Sequence, residues 1–434
     1  MQPMRNSIVK VICGWLTLYF AYKLLAVIMR VEIFEYVILT LGRCFFTFVF
    51  TVAVLKYIDY FYERSQKSKT VHPQGKAVLI TGCDTGFGFE TALRLYCMGF
   101  QVYAGCLDPK INGGLTLSSV DKNNRLVTLT MDVTNAEQVD NAYQFISSHL
   151  EAKNLSLWAI VNNAGVCSWS ELEFCSTETY QKVLNTNTLG AVRVTKTFLP
   201  LLKQFQGRLI MVSSLAGLLS YPGLTAYCMS KHAIAALADG LRKEFSKWNI
   251  SVTTIESAGY RTAMVNSQKV KHDMDNNWKM ASKCVQEEYG EEYFTAFRNA
   301  HIKRLSSLSD NIGQAVDTIV TAVESEYIRD RYYTSLKAEM RAFGRFLPQE
   351  WQDIFMLTFE SFDSVLCRFK FGFQPEPDAR NVLLAKANEM SEFNSLSADS
   401  DFTVQKDHEI LLEATDALIK SQKCIQESCL WYIP

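Results

Sequence analysis

The chain of 434 residues has no excess of either charge, because 44 lysines and arginines nearly balance 45 aspartates and glutamates. Proteins that bind nucleic acid usually carry a basic patch or stripe, so we predict no nucleic-acid partner. The 12 cysteines form no C-x-x-C pair and no ligand cluster with the six histidines. We therefore predict no structural metal, and a chain that lies in or faces a reducing compartment.

The beginning of the chain lacks acidic residues, since none precedes Glu32. Residues 11–29 are apolar apart from Lys23, and residues 36–55 are interrupted only by Arg43. A membrane span needs ~20 predominantly apolar residues. We predict that 1–62 form a membrane anchor with one or two spans, and basic residues that follow it place the next domain on the cytosolic side. The alternative is a cleaved mitochondrial presequence, although such segments are richer in Ser and Arg.

From residue 76 to about 260, short apolar runs alternate with helical patterns. This alternation is typical of an α/β fold with a doubly wound parallel sheet. The predicted strands are 77–80, 101–105, 126–130, 158–161, 208–212 and 251–255, with an edge strand at 331–333.

A glycine-rich turn follows the first predicted strand, with Gly82, Gly86 and Gly88 leading into a helical pattern. Glycines let the backbone approach a diphosphate closely, and the free N–H groups at a helix start complement its negative charge. The position between a strand and a helix makes this motif more specific than glycines alone.

Tyr227 and Lys231 are four residues apart and therefore project from the same face of a helix. A phenol normally keeps its proton until pH about 10. A neighbouring ammonium favours the phenolate, so we predict that Lys231 lowers the pKa of Tyr227 toward neutrality. Such a phenol can exchange a proton with an alcohol or carbonyl oxygen. The pattern alone is common on surface helices, but Ser214 and further motifs precede it.

Two of these motifs are Asn162-Asn163-Ala164-Gly165, after a predicted strand, and Asn187-Thr188-Leu189-Gly190, before a helix. The elements TGxxxGxG, NNAG, NxxG, Ser and YxxxK stand in the order and spacing of the short-chain dehydrogenase/reductase family, which the chain resembles over residues 74–345. The stretches 81–92, 99–107 and 178–202 resemble a membrane-associated branch with hydroxybutyrate, retinol and hydroxysteroid dehydrogenases. The resemblance implies a Rossmann-type catalytic domain, which we bound at 74–335.

The resemblance also implies catalytic roles. Tyr227 would be the general acid/base, and Lys231 would lower its pKa and bind the nicotinamide ribose. Ser214 would orient the substrate oxygen, and Asn187 would hold a water that links Lys231 to solvent. On spacing, Ser214 is favoured over Ser213, which is expected to be structural.

The implied cofactor is NAD, with NADP left open. An acid at the end of the second strand accepts the ribose hydroxyls and repels a 2′-phosphate. The family position falls at Cys106, with Asp108 and Lys110 nearby but no arginine. A departure from the family is Ala258, where proline is usual. The implied cofactor-binding residues are Thr81, Gly82, Asp84, Gly86, Phe87, Gly88, Asp132, Asn162, Ala164, Gly165, Tyr227, Lys231 and Thr262.

These features predict a membrane-bound NAD(P)-dependent oxidoreductase that interconverts a secondary alcohol and a ketone on a lipophilic substrate, such as a steroid or retinoid. One alternative is a D-3-hydroxybutyrate dehydrogenase, whose carboxylate substrate would need a cation such as Arg261. Another is a catalytically silent scaffold or NAD sensor. The expected location is the endoplasmic reticulum membrane, with a mitochondrial membrane as alternative. A homodimer would pair through the helices after Asn187 and Tyr227.

The C-terminal part changes character twice. Residues 260–310 are polar and helical, and in the family this region folds over the substrate. Residues 336–374 are rich in aromatic and basic side chains, which suits a helical extension at a membrane interface or an ordinary helix pair. Residues 375–434 form a polar, Ser-rich tail that we predict to be partly disordered.

Overall fold

The computed structural model describes residues 69–346 continuously, together with 18–23, positions between 40 and 54, and residues 348 and 352. Residues 18–23 are helical. Within the described residues, no helix combines the length and the apolar character that crossing a membrane requires. Most of the predicted anchor 1–62, most of 347–374 and the whole predicted tail 375–434 lie outside the described residues.

Seven parallel strands form a single sheet in the order β3-β2-β1-β4-β5-β6-β7. All seven predicted strands are confirmed, and the predicted ends differ from the observed ones by no more than two residues. The strand order reverses between β1 and β4, and such a switch point opens a crevice at the carboxyl ends of the strands. The strands are β1 Lys76–Thr81, β2 Gln101–Cys106, β3 Leu126–Thr130, β4 Ser156–Asn162, β5 Arg208–Val212, β6 Ser251–Glu256 and β7 Arg331–Tyr333.

Helices cover both faces of the sheet. Their bounds are α1 Gly86–Met98, α2 Asn112–Val120, α3 Ala136–Lys153, α4 Thr177–Leu184, α5 Gly190–Phe205, α6 Thr225–Phe245, α7 Ser267–Met280, α8 Lys283–Ser306, α9 Gly313–Glu324 and α10 Leu336–Ala342. One core contains apolar residues of α3, α5 and α6, and the other contains residues of α1, α2 and α9.

The amphipathic pattern of α3 shows how the sequence directs this packing. Its buried residues Val139, Ala142, Ile146 and Leu150 recur every three or four positions and so form one stripe. The helix begins where the Asn135 side chain accepts a hydrogen bond from a first-turn N–H, and it ends at a residue in the left-handed conformation.

Helices α7 and α8 occupy the region predicted to be helical between 260 and 310. Helix α8 consists of two helical parts that meet at Gly290, whose φ of 74° and ψ of 155° are not helical angles. The chain therefore bends inside α8, and glycine tolerates this backbone conformation because it has no Cβ.

Helix α10 is the described beginning of the predicted C-terminal segment. Ala338 and Ala342 are buried in a small core with Leu215, which follows the candidate catalytic Ser214. The same helix and the turn after it expose Leu336, Met340 and Phe346 at 73%, 66% and 65%. Helix α10 thus packs on the domain with its alanines, and it and the turn after it present larger apolar side chains outward.

Candidate active site

The glycine-rich loop after β1 forms a close-fitting cradle. Gly82 has φ 71°, and a Cβ there would lie 2.8 Å from Cα of Ala164. A Cβ on Gly88 would lie 2.3 Å from the carbonyl oxygen of Gly82. Only glycine fits both positions, so backbone N–H groups at the start of α1 can approach a bound anion.

Thr81 and Asn163 join this loop to the loop after β4. The Thr81 hydroxyl accepts hydrogen bonds from the backbone N–H groups of Asn163 at 3.1 Å and Ala164 at 3.0 Å. In return, the Asn163 side chain donates to the carbonyl oxygens of Thr81 at 2.9 Å and Gly82 at 3.1 Å. Asn163 was not predicted as a site residue, although the doubled asparagine of the NNAG motif signals it.

Two predicted cofactor residues, Asn162 and Asp132, have side chains engaged within the protein. Asn162 is 6% exposed and donates to the Thr195 hydroxyl at 3.0 Å. Asp132 accepts from both the backbone N–H and the hydroxyl of Thr134, each at 2.8 Å. Both residues therefore shape the loops at the carboxyl edge of the sheet.

Asn187 lies in a π-helical turn between α4 and α5, where it is 2% exposed. Its side chain exchanges two hydrogen bonds with the backbone of Val166, at 2.7 and 2.9 Å, and donates to the Ser230 hydroxyl at 2.9 Å. Ser230 directly precedes Lys231. Asn187 thus ties the loop after β4 to the catalytic helix, and a Cβ on Gly165 would lie 3.3 Å from its side-chain oxygen.

Ser214, Tyr227 and Lys231 meet beyond the end of β5. Tyr227 and Lys231 lie on α6, and the Lys231 ammonium is 5.6 Å from the centre of the Tyr227 ring. Lys231 is 5% exposed, and its ammonium donates to the carbonyl oxygen of Val212 at 2.8 Å. The Ser214 hydroxyl lies close enough to the Tyr227 phenol to lower its pKa. The structure therefore places Tyr227 near both Ser214 and Lys231, the residues predicted to orient the substrate oxygen and to lower the pKa of the phenol.

The predicted effect of Lys231 on Tyr227 is wrong for this structure. Burial raises the pKa of Tyr227 above its ordinary value, and the hydrogen bond with Ser214 acts in the opposite direction. Burial also lowers the pKa of Lys231 to about 8, against the influence of the Glu256 carboxylate. Burial disfavours the charged form of each side chain, and it outweighs their mutual attraction across this distance.

Thr262 faces the glycine-rich loop from the other side of the crevice. A Cβ on Gly86, which has φ 65°, would lie 3.6 Å from the Thr262 side chain. Beside it, the rings of Phe87 and Tyr260 meet edge to face with their centres 5.6 Å apart. The glycine-rich loop and Thr262, both implied to bind the cofactor, thus border the same crevice.

Ala258 has a structural reason to differ from the proline that is usual in the family. Its backbone N–H donates to the Thr334 hydroxyl at 3.1 Å. Proline has no N–H and could not make this bond. The substitution therefore links the loop after β6 to the residue that follows β7.

An aromatic cluster packs against Tyr227. We define it as Trp169, Phe174, Trp278, Tyr289, Tyr293, Phe294 and Phe297, which belong to one hydrophobic core with α7 and α8. Tyr227 is partly buried against this core. Phe174 lies at its centre, with its ring 5.0 Å from those of both Trp278 and Tyr289. Tyr227 therefore adjoins an apolar wall.

Comparison with known proteins identifies the family. Residues 76–273 match the family model described as short chain dehydrogenase. Mouse mitochondrial D-beta-hydroxybutyrate dehydrogenase is 37% identical over 235 residues, which cover 53% of this chain and 68% of the mouse protein. Human 17-beta-hydroxysteroid dehydrogenase type 6 is 34% identical over 279 residues, which cover 64% of this chain and 86% of the human protein. The chain belongs to the short-chain dehydrogenase family. Mouse retinol dehydrogenase 7 is 32% identical over 300 residues, which cover 69% of this chain and 91% of the mouse protein.

Solved structures share the fold of this short-chain dehydrogenase. A short-chain dehydrogenase from Burkholderia cenocepacia in complex with NADP superposes with a TM-score of 0.50 at 21% identity, over 66% of this chain and 99% of that one. A short-chain dehydrogenase from Burkholderia phymatum in complex with NAD superposes with a TM-score of 0.50 at 20% identity, over 63% of this chain and 93% of that one.

The residues of this short-chain dehydrogenase fit the nicotinamide cofactor on which the family depends. The glycine positions that exclude a Cβ leave room for a diphosphate, and Thr262 borders the same crevice. Within the described part of the chain, no group of His, Cys, Asp and Glu side chains is arranged to hold a metal ion. The cysteines described there are free thiols.

Proposed function

We propose that this protein is a membrane-bound, NAD-dependent dehydrogenase that interconverts a secondary alcohol and a ketone on a lipophilic substrate such as a steroid or retinoid. The observation that carries the proposal is the position of Tyr227, which lies near Ser214 and Lys231 and also packs against the core that contains the aromatic cluster. A proton-transferring phenol therefore adjoins a surface suited to an apolar molecule.

The chain's own residues handle the proton and the orientation of the reacting oxygen. When alcohol is oxidised, Tyr227 takes the hydroxyl proton, and Ser214 hydrogen-bonds the same oxygen and orients it. A nicotinamide cofactor, which the glycine-rich loop and Thr262 would hold, would supply the hydride acceptor. Lys231 places a positive charge beside the phenol, and Asn187 holds the loop and helix that carry these groups in register. Burial of Lys231 strengthens its electrostatic effect, because a low local dielectric screens its charge less than water does.

The apolar surroundings support a lipophilic substrate. Aromatic side chains bury a large apolar area and their rings stack on flat hydrocarbon frameworks. Pockets of this kind bind mainly through apolar contact, with a few polar groups that fix the orientation. Ser214 and Tyr227 supply those polar groups here.

Membrane association would let such a substrate enter from the bilayer. The apolar stretches 11–29 and 36–55 support an anchor, and the exposed Leu336, Met340 and Phe346 support contact with a membrane interface. We place the protein in the endoplasmic reticulum membrane, as a homodimer, with a mitochondrial membrane as the alternative.

The second candidate is D-3-hydroxybutyrate as substrate, which the 37% identity to the mouse mitochondrial enzyme favours. A small carboxylate needs a cation in the site. Arg261, which the sequence suggested for this role, is instead 48% exposed, forms a salt bridge with Asp310 and donates to the carbonyl oxygen of Leu308. This pairing weakens the case for the small substrate. The intact set of Asn187, Ser214, Tyr227 and Lys231 likewise weakens the case for a silent scaffold or NAD sensor.

The test is reduction of NAD⁺ and NADP⁺ by the detergent-solubilised full chain against a panel of steroids, retinol and D-3-hydroxybutyrate. We expect turnover of a lipophilic alcohol with NAD⁺. Tyr227→Phe should lower this turnover by at least about 100-fold, because general acid–base catalysis contributes factors of about 10²–10⁴.

Tyr143→Phe serves as the matched control, since Tyr143 packs against Phe198 in the core behind the sheet. It should leave turnover unchanged. Turnover of D-3-hydroxybutyrate alone would favour the second candidate, and equal turnover by Tyr227→Phe and the unmodified chain would refute the assigned chemistry.

A further inference from the structure

The carboxyl end of β2 has no acidic side chain available for a ribose. Cys106 ends the strand and is 0% exposed. Burial, with a further contribution from the Asp84 carboxylate, raises the pKa of its thiol to about 12. A buried neutral thiol can neither accept hydrogen bonds from ribose hydroxyls nor repel a phosphate. Some other group must perform this task if the cofactor is NAD.

Asp84 reaches this place from the glycine-rich loop. Its Oδ1 atom accepts a hydrogen bond from the backbone N–H of Leu107, the residue directly after Cys106, at 2.9 Å. The side chain is partly exposed. Within residues 69–346, its second carboxylate oxygen has no hydrogen-bond partner. The loop therefore brings a carboxylate to the end of β2 with one oxygen still able to accept.

The backbone of Asp84 is held from two directions. The N–H of Gly113, in the first turn of α2, donates to its carbonyl oxygen at 3.2 Å, and a Cβ on Gly113 would lie 2.2 Å from that oxygen. The preceding residue, Cys83, donates its N–H to the carbonyl oxygen of Gly105 on β2 at 2.9 Å. The carboxylate is thus pre-organised, which reduces the entropy lost when a ligand binds to it.

Asp108, the other acid in this region, is engaged differently. Its Oδ1 accepts from the backbone N–H of Lys110 at 2.9 Å, and its carbonyl oxygen accepts from the N–H of Ile111 at 3.3 Å. Asp108 is exposed and closes its own turn. Lys110 is exposed as well. Asp84 therefore has the better position for recognising a ligand at the end of β2.

We propose that Asp84 is the residue that selects NAD over NADP, in place of an acid on β2. The proposal rests on the nicotinamide cofactor of the proposed function. The carboxylate accepts hydrogen bonds from the adenosine ribose, and its charge repels the 2′-phosphate that distinguishes NADP. In this proposal, the glycine-rich loop both binds the diphosphate and selects between NAD and NADP.

The experiment measures dissociation constants for NADH and NADPH from nucleotide fluorescence, with the detergent-solubilised full chain and no alcohol present. The variants are Asp84→Asn and the matched control Asp108→Asn. Asparagine keeps an oxygen acceptor for the Leu107 N–H, so the loop is retained, and thermal melting checks this. Asp84→Ser is the second variant if Asp84→Asn melts early.

We expect the unmodified chain to bind NADH more tightly. Asp84→Asn should lower the ratio of the NADPH to the NADH dissociation constant by about tenfold or more, because a charge-assisted hydrogen bond and a repulsion are both removed. Asp108→Asn should change the ratio by less than about twofold, because its carboxylate closes a local turn.

An unchanged ratio in both Asp84 variants, a larger change in Asp108→Asn, or tighter binding of NADPH by the unmodified chain would each overturn the proposal. These outcomes are independent of the substrate. A chain that binds NADH selectively through Asp84 but oxidises no lipophilic alcohol would refute the proposed substrate class alone. A chain that turns over such an alcohol with an unchanged ratio would refute the role of Asp84 alone.

Discussion

Lys231 shows which residue-scale properties can be predicted from the sequence and which cannot. The four-residue spacing correctly places Lys231 beside Tyr227 on one helix face. The pKa shift of Tyr227 was predicted with the wrong sign, because the core that buries this residue contains side chains of the loop after β4, α7 and α8, which are distant in sequence. The acid near the end of β2 was likewise sought on the strand, whereas Asp84 approaches from another loop.

The lowered pKa of Lys231 predicts how stability depends on pH. In the folded protein this pKa is about 8, against an ordinary value of 10.5. Between these values the unfolded chain binds the proton and the folded chain does not, so the free energy of unfolding rises with pH. From pH 7 to pH 9, we expect the unmodified chain to gain about 1 kcal/mol relative to Lys231→Met.

Thermal unfolding of both proteins at several pH values checks this expectation. Cys106 also titrates at higher pH in the folded state, but it is present in both proteins and its effect cancels in the difference. Lys196→Met, at an exposed position on α5, is the control and should track the unmodified chain. A difference in the free energy of unfolding between the unmodified chain and Lys231→Met that stays constant from pH 7 to pH 9 would contradict the lowered pKa of Lys231.

At the scale of elements, the edge strand β7 is held by a buried ion pair. Arg331 contacts Glu256 at 2.6 Å, and the Glu256 side chain is 0% exposed. Replacing one partner of such a pair leaves an uncompensated buried charge, at a cost of about 3–5 kcal/mol. We therefore expect Arg331→Leu to lower the free energy of unfolding by about that amount, as measured by denaturant unfolding.

The matched control is Arg94→Leu, which removes a pair between α1 and α9. Arg94 and Asp317 are 45% and 64% exposed. Solvent screens such a pair, so the expected loss is below about 1 kcal/mol. Equal losses in the two variants would mean that Glu256 is neutral or reached by water in the folded protein.

Two helical glycines that have open space around them should respond oppositely to alanine. A Cβ added to Gly290 in α8 or to Gly240 in α6 would meet no neighbour within 4 Å, but Gly290 has φ 74° and ψ 155°. That conformation is nearly restricted to glycine, so Gly290→Ala should cost about 1–3 kcal/mol. Gly240→Ala should instead stabilise by up to about 1 kcal/mol.

Denaturant unfolding of the two variants shows whether backbone strain at position 290 or the low helix propensity of glycine determines the effect of alanine. If both variants stabilise the protein, α8 is continuous at Gly290 in solution. If both destabilise it, the space around Gly240 is occupied, for example by a second copy of the chain.

Element prediction succeeded where the signal is local. β1, β2 and β5 are short, mostly apolar runs bounded by turns, and such runs identify strands in a doubly wound sheet. The bend at Gly290 was not predicted, because polar residues around a single glycine give no local sign of it. The cluster around Phe174 was also missed, because its rings come from the loop after β4 and from α7 and α8.

At the scale of the whole molecule, α10 connects the catalytic centre to an apolar surface. Its buried alanines pack against Leu215, next to Ser214, while Leu336, Met340 and Phe346 face outward. An anchor at one end of the chain and this surface after the last strand would hold the domain against the bilayer at two points. A lipophilic substrate could then pass from the membrane to the site without crossing bulk water.

This arrangement predicts two separable modes of membrane attachment. If the apolar segments in 1–62 span the bilayer as proposed, the full chain should resist carbonate extraction from cell membranes. Deletion of 1–62 should make the protein extractable while it still binds lipid vesicles, with NADH binding as the check on folding. Replacing Leu336, Met340 and Phe346 by Ser in that truncated chain should weaken vesicle binding by at least about 100-fold, since each buried apolar side chain contributes about 1.5–3 kcal/mol.

Met280→Ser is the control for this surface, because Met280 is 82% exposed but lies at the end of α7. It should not change vesicle binding, since the proposed contact involves α10 and not α7. Extraction of the full chain by carbonate would show that 1–62 do not span the bilayer. Unchanged vesicle binding after the triple substitution would show that α10 faces water, and the substrate would then have to reach Tyr227 from solution.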